Sequence, residues 1–201
     1  MHRRVYEQFE KICTARNVSG RVLEIGATPD DSTLLCMRSL ENATEKIGVN
    51  IDGPYTYRDF EILAGNANEL TEFADGSFDL VLCNAMLEHD KWFYKTIAEI
   101  KRVTRSGGTI VIGVPSYRRV APLETIQSIM GRLPLLKQWS AATRFDAPFT
   151  ATLTFKVHDW PGDYYRFSEQ AVREVFFEGC RDVEICSVMS PPRLIGSGVK
   201  L

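Results

Sequence analysis

The sequence lacks a long apolar run, a paired-cysteine motif and an excess of basic charge, and each absence excludes a class of protein. No stretch of the 201 residues approaches the roughly 20 apolar residues of a membrane span. The five cysteines are scattered, odd in number and never spaced as C-x-x-C, so neither a metal site nor a disulfide framework is expected. A formal net charge of −2 argues against a nucleic-acid partner.

The N-terminus and the cysteine usage together indicate a compartment. Met1 to Arg4 is followed by acidic and polar residues rather than by the apolar core of a signal peptide. Unpaired, dispersed cysteines fit a reducing environment. We therefore expect a cytoplasmic protein.

Short apolar runs alternate with helical patterns along the chain. This alternation predicts an α/β fold: a Rossmann-like, open, mainly parallel twisted sheet with helices on both faces. The predicted strands are Arg21–Gly26, Lys46–Ile51, Glu61–Gly65, Phe78–Asn84, Gly108–Val114 and Asp182–Met189. Because the length suits one domain, residues 1–201 are expected to form a single unit, with a lid-like insertion after the fifth strand at about residues 115–157.

Four segments carry helix signals. An amphipathic stripe predicts a helix over residues 3–16. Thr28, followed by a proline and two acids, predicts a helix start; Asp90 could cap a helix over 91–104, and Ser168 another that runs to Phe177. The link Asp52–Phe60 is too short for a helical crossover and is expected to be a loop.

The turn after the first strand is the first candidate for a ligand site. Val22–Gly26 ends in a glycine, which lets the backbone approach a ligand closely, and ligands in such sheets bind beyond the carboxyl ends of the strands. A dinucleotide site would need G-x-G-x-x-G, whereas this turn has one glycine and then Asp30 and Asp31. The two carboxylates disfavour a pyrophosphate and are compatible with a cationic cofactor.

Five segments, in order, resemble the motifs of class I S-adenosylmethionine-dependent methyltransferases. Residues 75–89, DGSFDLVLCNAMLEH, are the most specific of them, and they resemble the fourth-strand signature of that family. The other four are Val22–Gly26, residues 47–52, residues 65–67 and residues 106–112. The resemblance covers over half of the chain and implies S-adenosylmethionine as the cofactor.

The resemblance also implies which residues hold that cofactor. They are Glu24, Gly26, Ala27, Asn50, Asp52, Asn66, Ala67 and Asn84. Three positions depart from the family pattern: Thr28 replaces a second glycine, Asn50 replaces the acid that holds the ribose, and Asn66 replaces the acid that meets the adenine amine. We expect Asp52, two residues after Asn50, to accept hydrogen bonds from the ribose in its place.

Two histidines are candidates for a catalytic base. His158 opens the segment HDWPGDYYRF, which resembles a His–Asp–Arg segment of small-molecule members, and imidazole titrates near working pH. His89 follows the fourth strand, and the alternative to a catalytic role is that it only packs at a helix start. For the segment that begins at His158, the alternative is a solvated loop. Asp163 and Arg166 are candidate substrate-binding residues.

These patterns predict methyl transfer from S-adenosylmethionine to an O or N atom of a small molecule, by in-line displacement. Two alternatives stay open. The departures at Asn50 and Asn66 would also fit a non-catalytic methyltransferase fold that serves as a binding or partner subunit. The insertion, with five basic residues and one acid between Ser116 and Arg144, would suit an anionic acceptor, or a nucleic-acid or protein substrate.

Overall fold

The computed structural model describes residues 1–119, 152–157 and 162–201. Its described part contains an eight-stranded sheet in the order β3-β4-β2-β1-β5-β6-β10-β9 and a two-stranded sheet of β7 and β8. The strands are β1 Gly20–Ile25, β2 Ala43–Asn50, β3 Tyr55–Tyr57, β4 Phe60–Ala64, β5 Phe78–Asn84, β6 Thr104–Pro115, β7 Tyr117–Arg119, β8 Thr152–Thr154, β9 Cys180–Val188 and β10 Arg193–Lys200.

The centre of the large sheet is parallel, as the sequence predicted. Strands β4, β2, β1, β5 and β6 pair in parallel, while β3 pairs antiparallel with β4, and β10 pairs antiparallel with both β6 and β9. The mainly parallel, Rossmann-like fold class is confirmed; all six predicted strands are present, Phe78–Asn84 with the predicted bounds and the other five with shifted ends. The carboxyl ends of β1, β2, β4, β5 and β6 therefore share one edge.

Helices cover both faces of this sheet. Helix α1, Arg3–Arg16, buries Val5, Phe9 and Cys13 on one face. Helix α2, Phe93–Val103, packs on the other face, together with a last helix, α3, Glu169–Ala171, which continues as a π-helical turn, Val172–Phe176. Ser168 caps α3 as predicted, since its side chain accepts a hydrogen bond from the Ala171 N–H. The two hydrophobic layers form the core.

The helix predicted to begin at Thr28 is absent. The chain instead forms two single 3₁₀ turns, Leu34–Cys36 and Arg38–Leu40, before β2. These turns bury Leu34, Leu35, Met37 and Leu40 against the α1 layer. Burial of these apolar residues at close spacing decides the local structure, and it outweighs the helix-start signal of Thr28.

Three further elements differ from the sequence prediction. The link Asp52–Phe60 contains β3, which forms a hairpin with β4. Helix α2 begins at Phe93 rather than at residue 91, and Asp90 instead accepts a hydrogen bond from the Trp92 N–H at 2.8 Å. Strand β10 was not predicted, since Gly196 interrupts the apolar pattern of its sequence. The position requires glycine because a Cβ there would lie 2.5 Å from the ring of Phe177.

The predicted insertion is described only at its two ends. Strands β7 and β8 pair antiparallel there, and β8 lies within the β-like run predicted at residues 150–157. Residues 120–151, which hold most of the predicted lid, and residues 158–161, which include His158, lie outside the described residues. Within the described ranges, no helix has the length and apolar content needed to cross a membrane.

Candidate cofactor and acceptor site

A cavity of about 380 Å³ opens at the carboxyl ends of β1, β2 and β4. Ligand pockets commonly have volumes of about 300–1,000 Å³ and a mostly apolar lining with a few polar groups. The residues that line this cavity are Ile25, Gly26, Val49, Asn50, Ile51, Gly65, Asn66, Ala67, Asn68, Met86, His89, Asp90, Lys91, Trp92 and Tyr164. Five of them, Gly26, Asn50, Asn66, Ala67 and His89, are among the predicted site residues.

Gly26 forms the turn that leaves β1 and enters the cavity wall. Its φ of +82° lies in the left-handed region, which glycine adopts without strain. Its N–H donates to the Val49 carbonyl at 2.8 Å. A Cβ at this position would lie 3.2 Å from the Met86 Cβ, so a side chain here would crowd both the backbone and the cavity.

Asn50 lies at the end of β2 and is held from both ends of its amide. Its Nδ2 donates to the Ala27 carbonyl at 2.6 Å, and its Oδ1 accepts from the Asp52 N–H at 3.2 Å. Ala27 is buried, and its side chain is not part of the cavity lining. Asp52 is exposed and also lies outside the lining, so its expected contact with a ribose stays a prediction.

The segment after β4 lines the cavity with three consecutive residues, Asn66, Ala67 and Asn68. The Asn66 Oδ1 accepts from the Asn68 N–H at 3.0 Å, which closes a tight turn. The Asn68 amide then donates to the Asp90 carboxylate at 2.8 Å and to the Thr96 hydroxyl at 2.9 Å. This network ties the cavity wall to α2, and no sequence motif singled out Asn68.

Glu24 is buried on the opposite side of β1 from the neighbouring cavity residue Ile25. Successive side chains of a strand alternate between faces, so Ile25 contacts the α2 layer while Glu24 points toward the 3₁₀ turns. There it accepts hydrogen bonds from the Thr33 hydroxyl and from the Leu35 N–H, the latter at 3.2 Å. Burial raises the pKa of its carboxyl group to about 7.

Asn84 and Asp31 also lie apart from the cavity. Asn84 ends β5, and its buried Oδ1 has no hydrogen-bond partner; it packs against Gly113. Asp31 accepts from the Tyr57 hydroxyl at 2.7 Å and pairs with Arg58. These hydrogen bonds, that of Tyr57 first, lower the pKa of Asp31. Because Arg58 already pairs with Asp31, this acid is not reserved for a cationic ligand.

His89 lies in the cavity wall directly after the loop that follows β5. Its Nδ1 contacts the Gly162 carbonyl oxygen, and Tyr164, two residues further on, also lines the cavity. The Tyr164 N–H donates to the Glu88 carbonyl at 2.8 Å. The segment that carries the predicted acceptor residues is therefore fastened beside the cavity, and His89 lines the cavity.

Asp163 and Arg166 bind each other rather than lining the cavity. Both guanidinium Nη atoms donate to the Asp163 carboxylate, one of them at 2.7 Å, and the Asp163 side chain has no exposed surface. Arg166 also donates to the Tyr165 carbonyl at 2.8 Å and to the Phe155 carbonyl at 3.4 Å. The hydrogen bond to Asp163 raises the pKa of Arg166. This pair braces the segment against β8.

A second buried ion pair, which the sequence did not reveal, joins Glu88 to Arg193. The Arg193 Nη2 lies 2.7 Å from the Glu88 Oε1, and the two side chains are 17% and 1% exposed. The partners are 105 residues apart in the chain, so only the fold brings them together. Among the described residues, no group of three or more His, Cys, Asp or Glu side chains is arranged to hold a metal ion.

Comparison with known proteins matches this geometry to one family. The family model described as a methyltransferase domain matches residues 30–112, which run from the turn after β1 into β6. This part of the chain, somewhat less than half of its length, is similar to the methyltransferase domain. Demethylmenaquinone methyltransferase from Renibacterium salmoninarum is 34% identical over 86 residues, which are 42% of this chain and 36% of that protein. The chain thus matches about a third of the length of this curated relative.

Solved methyltransferases share the fold at low sequence identity. The 1,6-didemethyltoxoflavin-N1-methyltransferase of Burkholderia thailandensis, with 1,6-didemethyltoxoflavin and S-adenosylhomocysteine bound, has a TM-score of 0.64 and 17% identity; the match covers 97% of this chain and 77% of that one. The N-methyltransferase NodS of Bradyrhizobium japonicum, bound to S-adenosylhomocysteine, has a TM-score of 0.59 and 11% identity, and covers 98% and 86% of the two chains.

Proposed function

We propose that this chain binds S-adenosylmethionine in the cavity above β1, β2 and β4 and transfers its methyl group to an O or N atom of a small molecule. The observation that carries the proposal is the cavity itself, at the carboxyl edge of a class I methyltransferase sheet, with Gly26 in the left-handed region at its wall. The two solved relatives with this fold hold S-adenosylhomocysteine.

The residues of the cavity fit the parts of this cofactor. The bare backbone at Gly26 leaves room for the methionine portion, and a Cβ would fill that room. Asn50 lines the cavity at the end of β2, two residues before Asp52, which we expect to meet the ribose; Asn66 and Ala67 line it after the end of β4, where we expect the adenine. When bound, the cofactor supplies an electrophilic methyl carbon on a sulfonium. The chain aligns an acceptor with that carbon and excludes water from between them.

A small-molecule acceptor is supported by the relatives rather than by a contact in this structure. The curated relative is named for demethylmenaquinone, and the Burkholderia enzyme was solved with 1,6-didemethyltoxoflavin. All five cysteines are unpaired thiols, which supports a cytoplasmic location. Two histidines remain our candidates for the base: His158, and His89, whose ring already lines the cavity.

Isothermal titration calorimetry with S-adenosylhomocysteine tests the cofactor assignment. We expect binding to the wild-type chain and none that is measurable to Gly26→Val, with Gly179→Val as a matched control. Gly179 also has a positive φ, but a Cβ there meets nothing within 4 Å, and it is remote from the cavity lining. A wild-type chain that binds neither the product nor the cofactor would refute the proposal.

Transfer of a tritiated methyl group separates the proposed function from its alternatives. The chain would be incubated with labelled S-adenosylmethionine and, separately, with the small-molecule, RNA and protein fractions of a cell extract. We expect label in the small-molecule fraction. Label confined to RNA or protein would replace the acceptor class, and cofactor binding without transfer to any fraction would indicate a non-catalytic partner subunit.

Two histidine variants then test the base. Removal of a general base lowers the rate by about 10²–10⁴-fold, so His158→Ala is expected to lose at least about 100-fold in turnover while it keeps its affinity for S-adenosylhomocysteine. His89→Ala is expected to lose less. The reverse ranking would assign the base to His89, and full activity in both variants would exclude a histidine base.

A further inference from the structure

The buried ion pair of Glu88 and Arg193 has hydrogen-bonding capacity that the described residues do not use. The Glu88 Oε1 accepts from the Arg193 Nη2 at 2.7 Å, while the Glu88 Oε2 and the Arg193 Nε are both buried without a partner. Buried polar atoms in native proteins are almost always hydrogen-bonded. One acceptor position and one donor position therefore stand unused on the same ion pair.

The ion pair lies at the carboxyl edge of the sheet, near the ends of β5 and β6. Glu88 follows the end of β5 by four residues, and Arg193 begins β10, where it is paired in register with Pro115 at the end of β6. The cavity proposed for the cofactor lies over β1, β2 and β4 instead. The two places adjoin, because His89 and Tyr164 line the cavity while Tyr164 donates its N–H to the Glu88 carbonyl.

The charges of this place select against an anion. The guanidinium of Arg193 is already neutralised by Glu88, and that of Arg166 by Asp163. A carboxylate or phosphate brought to the Glu88 Oε2 would meet a like charge in a desolvated setting, which is unfavourable. A neutral group that donates one hydrogen bond and accepts another would satisfy both unused positions.

Aromatic side chains adjoin the same ion pair. The Arg193 guanidinium lies 5.7 Å from the centre of the Phe155 ring, and Tyr164, whose N–H donates to the Glu88 carbonyl, is 54% exposed and lines the cavity. An aromatic face packs well against the C–H face of a saturated ring. A saturated ring with two adjacent hydroxyl groups combines that face with a donor and an acceptor.

We propose that Glu88 and Arg193 bind the methyl acceptor, and that this acceptor is a neutral, sugar-like molecule with a vicinal diol. One hydroxyl donates to the Glu88 Oε2, and the adjacent hydroxyl oxygen accepts from the Arg193 Nε. The inference rests on the proposed methyl transfer, since it names the acceptor for that reaction. Because both atoms are buried in the ligand-free protein, the side chains that cover them must shift when the diol binds.

Saturation-transfer difference NMR on the chain saturated with S-adenosylhomocysteine tests this acceptor class. The probes are the methyl pyranosides of glucose, mannose and rhamnose, with glycerol 3-phosphate and propionamide as an anionic and an amide comparison. We expect ring-proton signals from at least one pyranoside and none from the two comparison compounds. In Glu88→Gln and in Arg193→Met, affinity for that pyranoside should fall about tenfold or more, because a hydrogen bond to a charged group is lost.

The control is Glu169→Gln, which neutralises the exposed pair of Glu169 with Arg173 and should leave the pyranoside signals unchanged. Circular dichroism checks that each variant folds. If Glu88→Gln or Arg193→Met does not fold, Arg193→Lys is tested in its place. Wild-type protein that binds S-adenosylhomocysteine but no pyranoside would overturn the inference while the proposed function stands. Preference for phosphate or amide, or pyranoside signals that both variants retain, would overturn it as well. Failure to bind S-adenosylhomocysteine would instead refute the proposed function.

Discussion

The substitution Glu24→Gln is expected to make the protein more stable in mildly alkaline solution. Glu24 is 3% exposed, and burial raises the pKa of its carboxyl group from 4.5 to about 7. An acid with a raised pKa in the folded state favours folding in its protonated form. That contribution is fully present below pH 4.5 and is lost as the pH rises through 7.

The magnitude follows from the difference between the two pKa values. Each pKa unit corresponds to about 1.36 kcal/mol, so the wild-type protein should lose up to about 3 kcal/mol of unfolding free energy across this interval. Glutamine has no charge to desolvate, and its amide oxygen can still accept from the Thr33 hydroxyl and the Leu35 N–H. The variant should therefore match the wild type near pH 4.5 and exceed it by up to about 3 kcal/mol near pH 8.

Urea unfolding followed by far-UV circular dichroism measures this difference. Curves would be recorded at pH 5 and pH 8 for the wild type, for Glu24→Gln and for a control, Glu61→Gln, whose side chain is exposed on β4. The control should show the same pH dependence of the unfolding free energy as the wild type. If the difference between Glu24→Gln and the wild type is the same at both pH values, the carboxylate is not strained by burial and the reasoning fails.

Three further outcomes are expected. Gly26→Val should raise the dissociation constant for S-adenosylhomocysteine more than about tenfold, because valine is strained at the positive φ of residue 26 and its side chain crowds the cavity. An unchanged dissociation constant in calorimetry would contradict this. Asp52→Ala should weaken the same binding about tenfold. If Asp52→Ala keeps its affinity for S-adenosylhomocysteine while Asn50→Ala loses affinity, the ribose contact belongs to Asn50. Asp163→Ala should cost about 3–5 kcal/mol in urea unfolding, because the buried charge of Arg166 loses its partner; a cost below about 1 kcal/mol would show that the pair is not needed.

The central parallel strands β1 and β5 could be predicted from sequence because both are buried on both faces. Val22 to Ile25 of β1 and Leu80 to Cys83 of β5 are apolar, apart from Glu24, and buried without interruption. Strand β10 gave no such run, since its glycines make room for Phe177 from the opposite layer. The turns after Thr28 could not be predicted either, because contact with the α1 layer decides their shape.

The predicted site residues that line the cavity lie in short local turns. Gly26 and Asn66 each lie in a local turn, so the residues next to them in sequence are enough to mark them as candidates. Glu24 stays a predicted cofactor ligand, but its side chain bonds Thr33 and is not part of the cavity lining, because a motif gives the position of a residue and not the face of the strand on which it lies. The pairing of Glu88 with Arg193 depends on the register of β10 against β6, which no local pattern contains.

The position of β10 has a consequence for how the sheet assembles during synthesis. It hydrogen-bonds to β6 on one side and to β9 on the other, so among the described strands β9 joins the sheet through a strand that the ribosome makes after it. Until residues 193–200 emerge, the edge of β6 stays open to pairing with another chain. The emerging polypeptide is exposed to misassociation at this edge until the β9–β10 hairpin docks on β6.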